Sequence, residues 1–373
     1  MPTSQPSPNR PRIERFWQRD LPARLLPAWA GLAAAAGFYR IGVGARRLYW
    51  RMMKQPAPLL TVSVGNLTVG GSGKTPFTLF LANRMQRRGL RVGIVSRGYG
   101  RARSRVLSEL VADGGRLMMS PEEAGDEPAM MAKSFTGPIA VARRRINGIE
   151  HVCKLGPLDA VILDDAFQHL RLSRDVDLLL VSNERAFGNG WMLPAGPMRE
   201  PIGAAARADA IILMSSGTGD SAIDSPQMKK LAARKIFHAA VRPRALIAAA
   251  NGAWHELPLV LAGRRVLAVS GLADSSGFCA MLNELEADLV GVFDYPDHHA
   301  YTNADWQGIV NAMREVDAVI TTEKDLVKLE RFPFPRDTLY ALKIEVTMEA
   351  ADASALDDLI LLRINTKAAA APK

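Results

Sequence analysis

Residues 61–76, TVSVGNLTVGGSGKTP, run a β-branched apolar segment into a glycine-rich loop that closes on Lys74-Thr75. A phosphate-binding loop needs the same parts. Glycines let backbone N–H groups wrap phosphate oxygens, a lysine reaches the β- and γ-phosphates, and a hydroxyl offers a ligand to Mg²⁺. Gly70, Gly71, Gly73, Lys74 and Thr75 supply these parts, with Thr68, Val69 and Ser72 completing the loop. Thr68 stands where the common GxxxxGK[ST] pattern has glycine. The apolar run LLTVSVG before the loop and the amphipathic TPFTLFLANRMQRRG after it give the strand–loop–helix order that a nucleotide site requires.

Working outward, LRVGIVSRGYG, GPIAVA, LDAVILDD, DVDLLLVS and ADAIILMSS are short apolar runs at intervals that suit buried parallel strands. They predict a doubly wound α/β domain with a mostly parallel sheet and ligand chemistry at the strands' carboxyl ends. SSGTGDSAIDSPQ (215–227) is a polar break, and KIFHAAVRPRALIA after it reads as an extended connection. A second alternating unit follows: RRVLAVSGLA, a helix around DSSGFCAMLNELEA, the strand DLVGVFDY, and DAVITTEKD. At 373 residues the chain suits two domains. The expected organisation is a disordered start and basic membrane-associated helix over 1–54, a P-loop domain over 55–235, and a smaller α/β domain over 236–373. The low-complexity tail TKAAAAPK is expected to fray.

The charge is unevenly spread. Residues 1–54 hold ten basic and two acidic residues, so +8 of the chain's +9 lies there. The near-neutral remainder argues against a nucleic-acid-binding protein. Fifteen uncharged residues, LLPAWAGLAAAAGFY, separate Arg24 from Arg40; as a helix they span ~22 Å, short of the ~30 Å hydrocarbon core. Arg40, Arg46, Arg47 and Arg51, with Trp17, Trp29 and Trp50, suit a helix lying in a membrane interface. A helix packed on the protein's own core and a secretory signal are the competing readings. A nucleotide loop so soon afterwards makes export unattractive. Cys153 and Cys279 lie far apart, and six scattered histidines carry no HExxH, so neither a disulfide framework nor a zinc site is expected.

DAVILDDAFQH puts Asp164 and Asp165 at the end of an apolar strand, where a nucleotide's Mg²⁺ is commonly held. Three further stretches are richer than ordinary loops: AGDEPAM with Asp126 and Glu127, FGNGWMLPAGPMREP (187–201) with Arg199 and Glu200, and YPDHHAYT with Asp297, His298 and His299. A carboxylate–imidazole pair can take a proton from an alcohol. Each stretch alone also reads as capping or turn chemistry, with Asp126 as a helix N-cap and the histidines on the surface.

In this order, VGNLTVGGSGKTP, SRGYGR, GDEP, LDDAFQH, FGNGWMLPAGPMREP, PDHHAYT and TTEKD resemble the tetraacyldisaccharide 4′-kinases, the lipid A 4′-kinases of Gram-negative bacteria, from about residue 24 to about 330. Ala166 departs from that pattern, which more often reads DDGFQH. The resemblance implies ATP- and Mg²⁺-dependent phosphorylation of the 4′-hydroxyl of a tetraacylated glucosamine disaccharide 1-phosphate by a monomer at the cytoplasmic face of the inner membrane. It implies Lys74 on the β/γ-phosphates, and Thr75, Asp164, Asp165 and, as a helper, Glu200 at the metal. Asp126 would be the base, paired with His298 or its neighbour His299, and Tyr99, Arg143, Arg145 and Arg199 would contact phosphate or substrate. A partition-type regulatory ATPase and a GTPase switch are the other classes a P-loop allows. Val69 replaces the lysine of the first, and TTEKD lies in the wrong place for the guanine motif of the second.

Overall fold

In the computed structural model every residue of β1 (Leu60–Asn66) is buried. An apolar run without alternation is what a strand covered on both faces requires. The structure describes residues 26–99, 106–216, 234–250 and 253–370, with positions 17, 101, 228 and 231. The proline-rich start and residues 217–227 of the polar break lie outside them.

β1 pairs in parallel with β5 (Ala160–Leu163) and β6 (Val176–Ser182). Beyond β5 the parallel array continues through β2 (Val92–Ser96) and β4 (Pro138–Ala142), and β3 (Ser108–Asp113) closes that edge antiparallel. Beyond β6 comes β7 (Ala210–Ser215). The stretch expected as an extended connection is β8 (Lys235–Ala250), the longest strand. Its first half pairs in parallel with β7, and its second half pairs antiparallel with β13 (Leu339–Met348) and β9 (Ala253–Leu257). β13 continues into β12 (Ala318–Thr322), β10 (Arg265–Ser270) and β11 (Asp288–Asp294), all mutually parallel. The two alternating units are thus halves of one thirteen-stranded sheet. The boundary drawn at 235/236 falls at the start of the strand they share.

Because β13 runs against β8, the second set of strands points opposite to the first. Twist offsets this reversal. Neighbouring strands rotate by about 20–25°, so the seven steps from β1 to β11 accumulate roughly 140–175°. Consistent with that rotation, the turn after β11 reaches the first half, where His298 meets Asp126. Helices α2 (Lys74–Arg87), α3 (Pro121–Ala124), α4 (Asp126–Ser134) and α5 (Arg145–Cys153) belong to the first half. The second half supplies α6 (Ser276–Glu284), α7 (Asn303–Ala312) and α8 (Glu323–Leu329), and α4 packs on α8 across the junction.

The two terminal helices complete the fold. The basic segment forms α1 (Leu26–Met52), which carries the uncharged stretch and runs on through Arg40, Arg46, Arg47 and Arg51. Among the described residues no helix is long and apolar enough to cross a membrane. One stripe of α1 rests on the 187–201 loop: Trp29 meets Trp191 edge-on at 4.8 Å, and the Tyr39 hydroxyl donates to the Arg199 carbonyl at 3.2 Å. The opposite stripe leaves Phe38, Ile41, Leu48 and Met52 between 63% and 79% exposed.

Of the tail expected to fray, residues 366–370 end α9 (Ala350–Ala370), and residues 371–373 lie outside the described residues; Lys367 anchors the helix, its ammonium donating to Asp175 at 2.7 Å and to the Leu59 carbonyl at 2.8 Å. α9 returns from the second half to cover the first. Its Leu356 and Ile360 are buried in the main apolar cluster. Its Asp357 receives the forks of both Arg84 (2.7 and 2.8 Å) and Arg88 (3.0 and 2.6 Å) from α2. Asp357→Ala strands two guanidiniums on the P-loop helix. A buried pair broken on one side costs several kcal/mol, and discounting for the half-exposed Arg88 leaves about 1–3 kcal/mol. A lower thermal denaturation midpoint is the expected outcome; an unchanged midpoint would refute the clamp.

Candidate active site

β1 ends in Asn66, whose side-chain amide donates to Ser72 Oγ at 2.8 Å and so ties the end of the strand to the far side of the loop. Gln168 donates to the Asn66 carbonyl at 2.7 Å. Gly73 caps α2 at φ +69°, a left-handed conformation that L side chains resist. A Cβ there would also meet Met214 Cε at 2.9 Å. Lys74 and Thr75 then open α2 with no acidic residue in its first turn, so the helix presents unopposed N–H groups at the loop. The 187–201 segment braces the other flank: Val69 N–H donates to Pro197 O at 2.9 Å, and Arg199 N–H to Leu67 O at 2.7 Å.

The aspartate pair sits where β5 ends, beside this loop. Gly65 is the reason the DDAFQ turn can lie so close, since a Cβ on it would fall 2.7 Å from Phe167 Cβ and 2.8 Å from its backbone nitrogen. Asp164 is buried and accepts from Thr78 of α2 and Ser96 of β2, both at 3.2 Å. Burial, then the charges of Glu127 and Asp165, push its carboxyl up to about 7, against the pull of Lys74 and Arg145. Asp165 holds a left-handed backbone at φ 43° and meets Arg199 Nη1 at 3.0 and 3.1 Å. Burial would raise its carboxyl, but Lys74, Arg199 and Arg145 outweigh that and hold it below the usual value.

Of the arginine run ARRR, only Arg145 goes inside, at 2% exposure; Arg143 and Arg144 are exposed. Arg145 does not face the loop. It donates to the carbonyls of Ala142 and Asp164, each at 2.9 Å, and so carries the aspartate turn from behind.

Asp126 is not a helix N-cap. Gly125 takes that place, and the Asp126 side chain turns to the second half of the sheet. Its Oδ2 lies 3.1 Å from His298 Nδ1, in the turn after β11, and 3.1 Å from Lys328 Nζ on α8. His299 pairs elsewhere, with Asp305 at the start of α7 (3.1 Å), which decides between the two histidines. His298 also has Asp297 3.6 Å from Nε2, and the Tyr99 ring lies 5.0 Å from its own. Burial would raise the Asp126 carboxyl; the His298 hydrogen bond and the charges of Lys328 and Lys324 overcome this and lower it. A base that stays ionised, fixed to an imidazole, is able to accept a proton from an alcohol.

Glu200, expected as a helper at the metal, is engaged by arginines. Both its oxygens are taken by the Arg207 fork, at 2.7 and 3.2 Å, with Arg47 of α1 at 4.0 Å. It anchors the helix and makes no bond to Thr75, Asp164 or Asp165 among the described residues. Lys328 was missed by the sequence reading, although it lies three residues after the aspartate of TTEKD, on the same helix face. Among the described residues no three His, Cys, Asp or Glu side chains form a metal cage. The hydroxyl of Thr75 and the carboxylates of Asp164 and Asp165 are still hard oxygen donors, and the opposed ionisation of Asp164 is what a nearby dication would relieve. Such a set fits Mg²⁺, which takes one or two carboxylates and completes its shell with phosphate and water.

Comparison with known proteins points to one family. The family described as tetraacyldisaccharide-1-P 4′-kinase matches residues 28–365. The tetraacyldisaccharide 4′-kinase of Syntrophus aciditrophicus (strain SB) is 34% identical over 377 residues, spanning 94% of this chain and 98% of its own. That of Desulfatibacillum aliphaticivorans is 38% identical over 305 residues, spanning 79% and 81%. Among solved structures, the "apo" form of LpxK from Aquifex aeolicus in complex with ATP has a TM-score of 0.71 at 30% identity and covers 92% of this chain and 99% of that one. The chain belongs to the tetraacyldisaccharide 4′-kinase family.

Proposed function

We propose that this kinase moves the γ-phosphoryl group of ATP to the 4′-hydroxyl of a tetraacyldisaccharide 1-phosphate, a step of lipid A biosynthesis, with Asp126 as the base. The observation that carries this reading is the Asp126–His298 pair, 3.1 Å apart and drawn from the two halves of one sheet, in a chain whose first half holds the P-loop. Both partners come from one chain, which supports a monomer as the working unit.

Phosphoryl transfer asks chiefly for positioning and charge neutralisation. Gly70–Thr75 would wrap the phosphates, Lys74 would spread charge over the β- and γ-oxygens, and the first turn of α2 would add its N–H groups. Thr75, Asp164 and Asp165 would hold Mg²⁺, which when bound supplies electrostatic stabilisation of the transferring group. Arg145 and Arg199 keep the aspartates in register, from behind and beside them. Asp126 would accept the 4′-hydroxyl proton while His298 fixes its orientation, a contribution of ~10²–10⁴ in rate.

The face of α1 supports action at the inner membrane, on its cytoplasmic side where ATP is available. Phe38, Ile41, Leu48 and Met52 form an apolar stripe among Arg40, Arg46 and Arg51, on a helix whose other side is held by the 187–201 loop. That arrangement suits a helix lying in the lipid interface, delivering an acylated acceptor to the adjacent cleft.

Two experiments test these statements. Transfer of ³²P from γ-labelled ATP to tetraacyldisaccharide 1-phosphate in micelles should label lipid with wild type and fall by at least ~10² with Lys74→Ala or Asp126→Asn. Wild-type rates in Asp126→Asn would remove it from the mechanism. In flotation with anionic vesicles, a variant with Phe38, Ile41, Leu48 and Met52 all changed to Ser should stay in solution while wild type rises. Equal flotation of both would reject the interfacial role of α1.

A further inference from the structure

Lys328 has a side chain only 8% exposed. Its ammonium donates to Asp126 Oδ2 at 3.1 Å and to the His299 carbonyl at 3.0 Å, and pairs ionically with Asp325 Oδ1 at 3.2 Å. An ammonium withdrawn from water is costly unless its charge is met, and two hydrogen bonds with a second carboxylate meet it here. Asp325 is itself fixed, accepting from Gly271 N–H at 2.9 Å and from Thr322 Oγ1 at 2.7 Å. The second half therefore holds the lysine from its own side, through Asp325 and His299, while it reaches Asp126 in the first.

We propose that Lys328 is a positioning residue for the phosphoryl transfer: with His298 it clamps Asp126 by Oδ2, so that Oδ1 is the oxygen turned to the acceptor hydroxyl. This rests on the reading of Asp126 as the base. Among the described residues both bonds to this carboxylate fall on Oδ2 and none on Oδ1. Two donors on one oxygen fix the plane of the carboxylate and leave the other oxygen's lone pairs available. The row Asp325–Lys328–Asp126–His298 also joins the second half's helix to the first half's, so the base is aligned only when both halves are in register.

The test is the pH profile of kcat/KM for the lipid acceptor, measured for wild type, Lys328→Met, Asp325→Asn and Asp126→Asn, alongside ATP binding. The charged or titratable groups around Asp126 are His298, Asp297, Lys324, Lys328, Asp325, Tyr99 and its neighbour Glu127. A base works ionised, so activity is lost as pH falls through its pKa. Lys328 lowers that pKa; Lys328→Met should therefore move the acidic limb up by about 1–3 pH units and reduce kcat, with ATP affinity unchanged. Asp325→Asn keeps the side-chain cap and leaves Asp126 as the carboxylate paired with the ammonium, so the limb should move down. Should Lys328→Met fail to fold, the direction of the Asp325→Asn limb decides. A limb that stays in place while Asp126→Asn is inactive overturns the role of Lys328 and leaves the base intact. Full activity in Asp126→Asn overturns the base itself.

Discussion

The antiparallel pairing of β8 with β13 is the constraint on which the rest of the molecule depends. It joins two parallel arrays that would otherwise be separate units, and it reverses the direction of the second. Reversal in a flat sheet would send the two sets of functional loops to opposite edges. The right-handed twist that all strands share brings them back. The glycine loop after β1 and the histidine turn after β11 then border one cleft. A carboxylate on α4 can meet an imidazole 172 residues later in the chain.

Within that cleft charges alternate. Asp165 lies between Lys74 and Arg199, Asp164 lies over Arg145, and Asp126 is flanked by His298 and Lys328. Each carboxylate therefore has a cationic neighbour of its own, but their settings differ. Asp164 is deepest and faces two other carboxylates, so its ionisation is opposed. Asp126 is opposed only by burial, and its cations prevail. The difference separates a position suited to sharing a cation from one suited to accepting a proton.

Features encoded by contiguous residues were readable from the sequence. The glycine loop, the strands of the first half and the DD turn rest on local patterns of glycine, apolar runs and charge, and they stand where those patterns put them. The reach of KIFHAAVRPRALIA was not readable, because an extended apolar run specifies a strand without saying that two parallel arrays share it. The edge strand SELVAD is half-exposed and carries little periodic signal. Arg145 and Lys328 could not be assigned because a buried cation is recognised by its acceptors, and these include one 19 residues away for Arg145 and one 202 residues away for Lys328. Glu200 shows the same limit: its arginine partners, Arg207 and Arg47, are seen only in the fold. His298 and His299 are identical by composition, and only the turn geometry, with His298 at φ 59°, sends one to Asp126 and the other to Asp305.

The α9 clamp has a consequence for biogenesis. Asp357 follows every strand of the sheet in chain order, whereas the P-loop helix it grips begins at Lys74. During vectorial synthesis the nucleotide loop is made early, but Arg84 and Arg88 have no carboxylate to bind until β13 is made and α9 emerges. A nascent chain halted before that point carries a first half with its central helix uncovered. The clamp on the carboxyl end of α2 is thus made only in chains that have been translated through Asp357.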